Sequence, residues 1–331
     1  MSQLTGVLLI QLGTPDAPTA RALYRYLRQF LSDRRVIETS RAFWWPILYG
    51  LVLPTRPKAS AAKYRRIWDP VRGSPLLYHT EKQAQGLEQL LPAVPIFFGM
   101  QVGNPSVGTV VHKAIASGAE RLIVLPMYPQ YSATTTASAL DALFRALERE
   151  RRVPALRIVP PYYENPSYID AIATLVREEL AHLNWQPDHF LISFHGLPIE
   201  YIERGDPYVE HVRRTTALLI DQLQWTTGSW TQTFQSRFGR ARWLEPYTDE
   251  TLAALGRSGK SVFLVTPGFT ADCLETLDEI GNEAREIFLH AGGRHFHLCP
   301  CLNEHPAWIQ ALKSLLLTEG QGWLPIPSIA G

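Results

Sequence analysis

Cysteine is scarce in this sequence: Cys273, Cys299 and Cys301 are the only three. An odd, clustered set of thiols offers no disulfide framework and suits a reducing compartment. Charge of either sign is not in excess, since 32 Lys and Arg face 31 Asp and Glu. With no basic stripe interleaved with aromatics, nucleic acid is not an expected partner. The opening residues Met1-Ser2-Gln3-Leu4-Thr5-Gly6 lack a basic n-region, so no signal or transit peptide is expected and the protein is read as cytoplasmic. The most apolar stretch, Phe43 to Pro54, is too short and too broken by Pro46 and Gly50 to span a bilayer. No GxGxxG or P-loop pattern occurs; the turn Gln11-Leu12-Gly13-Thr14-Pro15-Asp16 is neither, which removes the usual support for a nucleotide site.

Short apolar runs alternating with helix-periodic segments fill the chain. The runs are Val7–Leu12, Val94–Met100, Leu122–Pro126, Leu156–Val159, Phe190–Phe194, Thr231–Phe234, Val262–Val265 and Phe296–Cys299. Continuous apolar strands imply burial on both faces, as in a parallel sheet covered by helices. At 331 residues, two domains of roughly 150 residues each are the natural division. The fold class is therefore α/β, with two similar Rossmann-like domains. Each carries a four-stranded parallel sheet flanked by helices, and an active-site cleft is expected between them. The proline-rich break Pro160-Pro161-Tyr162-Tyr163-Glu164-Asn165-Pro166 places the boundary, giving residues 1–163 and 164–305. Residues 306–331 form a last helix and tail that can pack back on the first domain, and the tail from Gly320 is expected to be poorly ordered.

Ligands of open α/β sheets bind beyond the carboxyl ends of the strands, so the residues just after each run are the candidates. After the fifth run stands His195, followed by a glycine that lets backbone approach closely. Imidazole is the side chain suited to accept a proton near neutral pH. A lone histidine is still more often an ordinary structural residue than a catalyst, and chemistry alone leaves both readings open. After the seventh run, Asp272, Glu275 and Glu279 fall on one narrow face at 100° per residue, with Leu274, Leu277, Ala284 and Phe288 opposite. A solvated acidic face looks the same, but this one begins where His195 should sit. Carboxylates beside an imidazole supply oxygen and nitrogen ligands for a divalent ion, and a relay for protons. The segment His295-Phe296-His297-Leu298-Cys299-Pro300-Cys301 has C-x-C spacing and no second pair, so a structural zinc is not expected there.

Taken together, these motifs resemble the ferrochelatase family along nearly the whole chain. Ser193-Phe194-His195-Gly196-Leu197-Pro198 is similar to its histidine motif, and Phe269 to Leu277 to its acidic-helix motif. Tyr128-Pro129-Gln130-Tyr131-Ser132, Tyr64-Arg65-Arg66-Ile67 with Gly73-Ser74-Pro75, and Trp243-Leu244 with Pro246 and Thr248-Asp249-Glu250 match three further signatures in order. The resemblance implies insertion of ferrous iron into protoporphyrin IX with loss of two protons, forming protohaem. His195 would accept a pyrrole proton or contact the iron, with Glu275 as its acidic partner and Glu279 and Asp272 continuing a row that carries iron or protons. The porphyrin would be bound bent out of plane, at the cost of remote binding energy. Trp44, Trp45, Ile47, Leu48, Leu51 and Leu53 match a hydrophobic lip, through which peripheral membrane contact is also open. Arg56, Tyr64 and Ser74 would meet the propionates, and Trp243 would line the pocket. Tyr131, Ser132, Gln11 and Gln101 are taken as further substrate contacts.

Gln101-Val102 departs from the family, where many members have Arg-Tyr, which takes away one cation and one aromatic. Members with an iron–sulfur cluster carry cysteine in the Tyr-Ser-x-x-Thr loop and near the C-terminus. Neither occurs here, so iron is expected as substrate, with no cluster and no tightly bound cofactor. Coproporphyrin III as substrate, a cobalt or nickel tetrapyrrole chelatase, and a non-catalytic haem or metal carrier are the competing readings. Monomer and homodimer both stay open.

Overall fold

The structure is a computed structural model that describes residues 4–239 and 241–324. Eight strands form where the eight apolar runs lie: β1 (Thr5–Thr14), β2 (Ile96–Gly103), β3 (Arg121–Pro126), β4 (Ala155–Ile158), β5 (His189–His195), β6 (Trp230–Gln235), β7 (Val262–Val265) and β8 (Phe296–Leu298). They make two separate four-stranded sheets, ordered β2-β1-β3-β4 and β6-β5-β7-β8, with every pairing parallel. The two halves thus share one topology without a visible sequence repeat. Two units result: among the described residues one holds 4–128, 132–161 and 309–324, and the other holds Pro129–Tyr131 and the chain from Tyr162 to Trp308.

In the first unit, β1 is buried along nearly its whole length, as its unbroken apolar sequence requires. Leu8, Ile10, Leu122 and Val124 pack against Val107, Val110, Val111 and Ala114 from helix Val107–Ala116 and Leu143 from helix Ser138–Leu147. Gly13 closes β1 with φ +107°, where an added Cβ would lie 1.8 Å from the Val102 carbonyl oxygen, so no other residue fits. Helix Ala20–Leu31 starts at Thr19, whose hydroxyl accepts from the Ala22 N–H at 3.3 Å.

The tail is more ordered than its composition suggests. Arg157 donates to the carbonyls of Glu319 and Gln321 at 2.8 and 2.7 Å, and its guanidinium lies 4.2 Å from the Trp323 ring centroid. Leu324 is buried. Cation–π and carbonyl contacts, invisible in composition, hold residues 320–324 on the first unit. Residues 325–331 lie outside the described residues.

In the second unit, Leu191, Val262 and Leu264 pack with Leu252, Ile280 and Phe288 on one side of the sheet. Helix Pro166–His182 begins with Asn165 accepting from the N–H groups of Ser167 and Tyr168, and with Pro166 in its first turn. β5 is the strand at which the winding reverses, since β6 lies on one side of it and β7 on the other. Connections leaving a parallel sheet in opposite directions open a crevice at the carboxyl end of that strand. His195 is the last residue of β5.

Candidate active site

His195 pairs in register with Gln235, so the ends of β5 and β6 are level. Its Nδ1 lies 2.7 Å from the Gly196 carbonyl oxygen. A carbonyl only accepts, so Nδ1 carries a proton, and Nε2 is the nitrogen on which the ring can accept another. The backbone at this point is fixed from three sides. The Tyr208 hydroxyl donates to the His195 carbonyl at 3.0 Å, the Gly196 N–H donates to the Gln235 carbonyl at 2.7 Å, and Leu197 accepts from the Leu244 N–H at 3.0 Å. A Cβ on Gly196 would come within 2.9 Å of the Gln235 carbonyl and 3.2 Å of the Trp243 ring, which explains glycine after the histidine.

The acidic segment differs from its helical-wheel expectation. Residues Glu275–Ala284 form a π-helix, not an α-helix, so 100° per residue does not apply. Asp272 precedes the helix altogether and is buried. Its carboxylate accepts from Asn303 Nδ2 at 2.7 Å, the Thr276 hydroxyl at 3.0 Å and the Cys301 N–H at 3.3 Å. Such an arrangement ties the start of the helix to the segment after β8 and engages both carboxylate oxygens of Asp272, the acid expected to continue the iron row. Glu275 and Glu279 remain partly exposed on the π-helix, while the fully buried acid is Asp278, which accepts from Asn282 at 3.0 Å. Burial, with the Glu275 charge beside it, pushes the Cys273 thiol well above its ordinary range. The thiol therefore stays protonated and unreactive.

Glu279 accepts from the Ser236 hydroxyl at 2.6 Å. Ser236 holds φ +71°, a left-handed conformation unusual for serine, and follows Gln235 at the end of β6. Gln235 in turn accepts from Ser193 at 2.7 Å through Oε1, whereas its buried Nε2 finds no hydrogen-bond partner. Sequence reasoning passed over both residues, although the strand-end rule that picked His195 applies equally to β6. Among the described residues, no group of three or more His, Cys, Asp and Glu side chains is placed to hold a metal ion.

Trp243 is buried, with its ring 5.0 Å from Phe238 and its Nε1 donating to the Phe238 carbonyl at 2.9 Å. The Tyr131 N–H donates to His211 Nδ1 at 3.1 Å, and that imidazole stacks on Tyr163 at 3.8 Å. Burial lowers the His211 pKa below 6.5, keeping the acceptor nitrogen neutral. The histidines near β8 have ordinary partners: His297 lies 2.9 Å from Glu179, and His295 stacks on Trp185.

Several of the expected substrate contacts of the first unit are already engaged. Tyr64 is buried edge-on against Tyr26 and Trp68, and the Ser74 hydroxyl, also buried, donates to Thr14 at 2.8 Å. Gln11 turns back to accept from the Leu12 N–H at 3.0 Å. Ser132 is a helix cap, accepting from the Thr134 N–H at 3.1 Å. Gln101 lies inside a polar chain, accepting from Tyr128 at 3.0 Å and donating to Ser138. Arg56 is exposed. The lip divides in two. Leu48 and Leu53, expected in the lip, are turned inward and belong to a core with Leu31 and Ile37. Phe43 (73% exposed), Trp45, Ile47, Tyr49 and Leu51 (62% exposed) form the outward face.

Comparison with known proteins bears on the family and the fold. A family model described as Ferrochelatase matches residues 4–319. The ferrochelatase of Mesorhizobium japonicum is 50% identical over 324 residues, covering 96% of this chain and 92% of the relative. That of Azoarcus sp. is 50% identical, covering 97% and 89%, and that of Brucella ovis is 47% identical, covering 96% and 92%. Among solved structures, the cobalt complex of the sirohydrochlorin chelatase SirB from Bacillus subtilis subspecies spizizenii aligns with TM-score 0.57 at 12% identity, over 97% of this chain and 99% of that one. SirB from Bacillus subtilis with Fe3+ aligns at 0.54 and 13% identity, over 96% and 98%. At such identities the likeness speaks for the fold, two four-stranded parallel sheets flanked by helices. Among the described residues no helix is long and apolar enough to cross a membrane. Matched from residue 4 to residue 319 by the family model, and at half identity by full-length relatives, the chain belongs to the ferrochelatase family.

Proposed function

We propose that this chain inserts Fe2+ into protoporphyrin IX, releasing two pyrrole protons and forming protohaem, and that His195 accepts a pyrrole proton with Glu275 as its acidic partner. The observation that carries the residue assignment is the His195 Nδ1–Gly196 carbonyl contact of 2.7 Å, which directs Nδ1–H to the backbone and leaves Nε2 as the ring nitrogen that can take a proton at the strand end where the winding reverses. Each pyrrole N–H gives up its proton as an iron–nitrogen bond forms, so two protons leave for each metal that enters. One passes to Nε2, and the carboxylates of Glu275 and Glu279 supply weak oxygen ligands for a hard Fe2+ and an exit for protons. The Ser236 hydroxyl orients Glu279 for that task. The outward face from Phe43 to Leu51 offers the porphyrin an apolar edge, and the same face provides a peripheral membrane contact. Arg56 and Tyr131 are proposed as propionate contacts, and iron is the only metal the reaction requires.

Anaerobic insertion assays with Fe2+, Co2+ and Ni2+ against protoporphyrin IX, coproporphyrin III and sirohydrochlorin test this reading. Protoporphyrin with Fe2+ is the expected best pair; turnover of sirohydrochlorin alone would refute it. His195→Ala is expected to lose on the order of 10²- to 10⁴-fold in kcat, the usual worth of a general base. Insertion by that variant at the wild-type rate would exclude His195 as the acceptor.

A further inference from the structure

We infer that Gln101 acts as a positioning residue: the chain Tyr128–Gln101–Ser138–Asp33 pins the base of the apolar lip and so sets porphyrin affinity. The inference rests on the functional reading above. Four side chains from four separate elements of the first unit meet here. Tyr128 follows β3, Gln101 lies in β2, Ser138 opens the helix Ser138–Leu147, and Asp33 lies two residues beyond helix Ala20–Leu31. All donors run one way: Tyr128 Oη donates to Gln101 Oε1 at 3.0 Å, Gln101 Nε2 to Ser138 Oγ, and Ser138 Oγ to the Asp33 carboxylate. A hydrogen-bond chain that ends on an anion is polarised along its length, and each link strengthens the next. Burial pushes the Tyr128 hydroxyl well above its ordinary range, so it stays a donor.

Asp33 is where this chain reaches the lip. Its Oδ1 accepts from the Arg35 N–H at 2.8 Å, and its carbonyl accepts from Ile37 at 3.0 Å, which shapes the turn between residues 33 and 37. Ile37 packs with Leu31, Leu48 and Leu53 under the exposed lip face, and Trp44 Nε1 donates to the Leu31 carbonyl at 2.7 Å. The lip thus stands on a turn whose anchor is a carboxylate held from the sheet by Gln101. Apolar side chains of the same volume would fill the space between β2 and Ser138 at least as favourably. What a fully paired polar chain adds is a single geometry for the element it ends on. The Gln101 amide, with both its oxygen and its nitrogen engaged, serves that end and not the ligand.

The test uses Ser138→Ala, Asp33→Ala, their double variant and Asp33→Asn. Porphyrin affinity is read by fluorescence quenching without iron, KM and kcat by anaerobic insertion, and folding by thermal melting. Each alanine variant is expected to weaken porphyrin binding and raise its KM by about 10-fold, equivalent to about 1.4 kcal/mol, with kcat within about 2-fold of wild type. The double variant should be no worse than the worse single, because the two changes break one chain. Asp33→Asn keeps an acceptor and should recover most of the loss. Unchanged porphyrin affinity in both single variants, or effects that multiply in the double, overturns the inference. Wild-type protein that binds porphyrin but inserts no iron would overturn the functional reading alone, since the pinning is read without metal.

Discussion

Gly196→Ala concentrates the site's geometry in one methyl group. The added Cβ would lie 2.9 Å from the Gln235 carbonyl oxygen and 3.2 Å from Trp243 Cε3. The carbonyl cannot retreat freely, because it accepts the Gly196 N–H at 2.7 Å and belongs to the paired end of β6. Trp243 is buried and tied by its own Nε1 at 2.9 Å, so it too resists. Relief to ordinary contact needs a shift of about 0.5 Å, and the mobile partner is residue 196 itself, whose carbonyl orients the His195 ring. Overpacking of this kind costs about 1–3 kcal/mol, which lowers the melting temperature by roughly 2–4 °C per kcal/mol for a unit of about 150 residues. Misplacing a proton acceptor by a fraction of an ångström should cost kcat on the order of 10- to 100-fold. Thermal melts by circular dichroism and anaerobic insertion kinetics on the same samples separate the two effects. A variant that melts several degrees low yet turns over at the wild-type kcat would refute the idea that Gly196 orients His195.

Asp272→Ala should lower the melting temperature sharply without changing the KM for iron in the protein that stays folded. It removes the acceptor shared by Asn303, Thr276 and the buried Cys301 N–H, and leaving that N–H unsatisfied costs about 1–3 kcal/mol. Ser236→Gly relieves the positive φ but removes the hydroxyl on Glu279. It should leave stability near wild type and weaken iron use, seen as a raised KM for Fe2+, whereas Ser236→Ala should lose on both counts. His211 and His189 both have pKa values lowered by burial, so the unfolded chain binds more protons than the folded one just below pH 6.5. Their contribution is fully present above 6.5 and is lost as pH falls through the lowered folded values. Urea titrations from pH 7.5 to 5 should show that decline, with a smaller slope in His211→Gln.

The short apolar runs were enough to announce two parallel sheets, because the central strands β1, β3, β5 and β7 are buried on both faces and are apolar along most of their length, whereas the edge strands β4, β6 and β8 are only partly buried and carry that signal weakly. The strand-end rule likewise brought out His195, and Gly196 beside it. What the sequence could not carry was anything that depends on which distant groups meet. Asp272 reads as a third member of an acidic row, yet Asn303 and Cys301, some thirty residues away, engage its carboxylate. Leu48 and Leu51 look alike in the lip, but helix geometry turns one into the core and the other outward. Gln101 reads as a missing cation and proves to be one link between Tyr128 and Ser138. Local pattern encodes burial, since burial acts residue by residue; hydrogen-bond partnership is a relation between segments, and only the tertiary structure decides it.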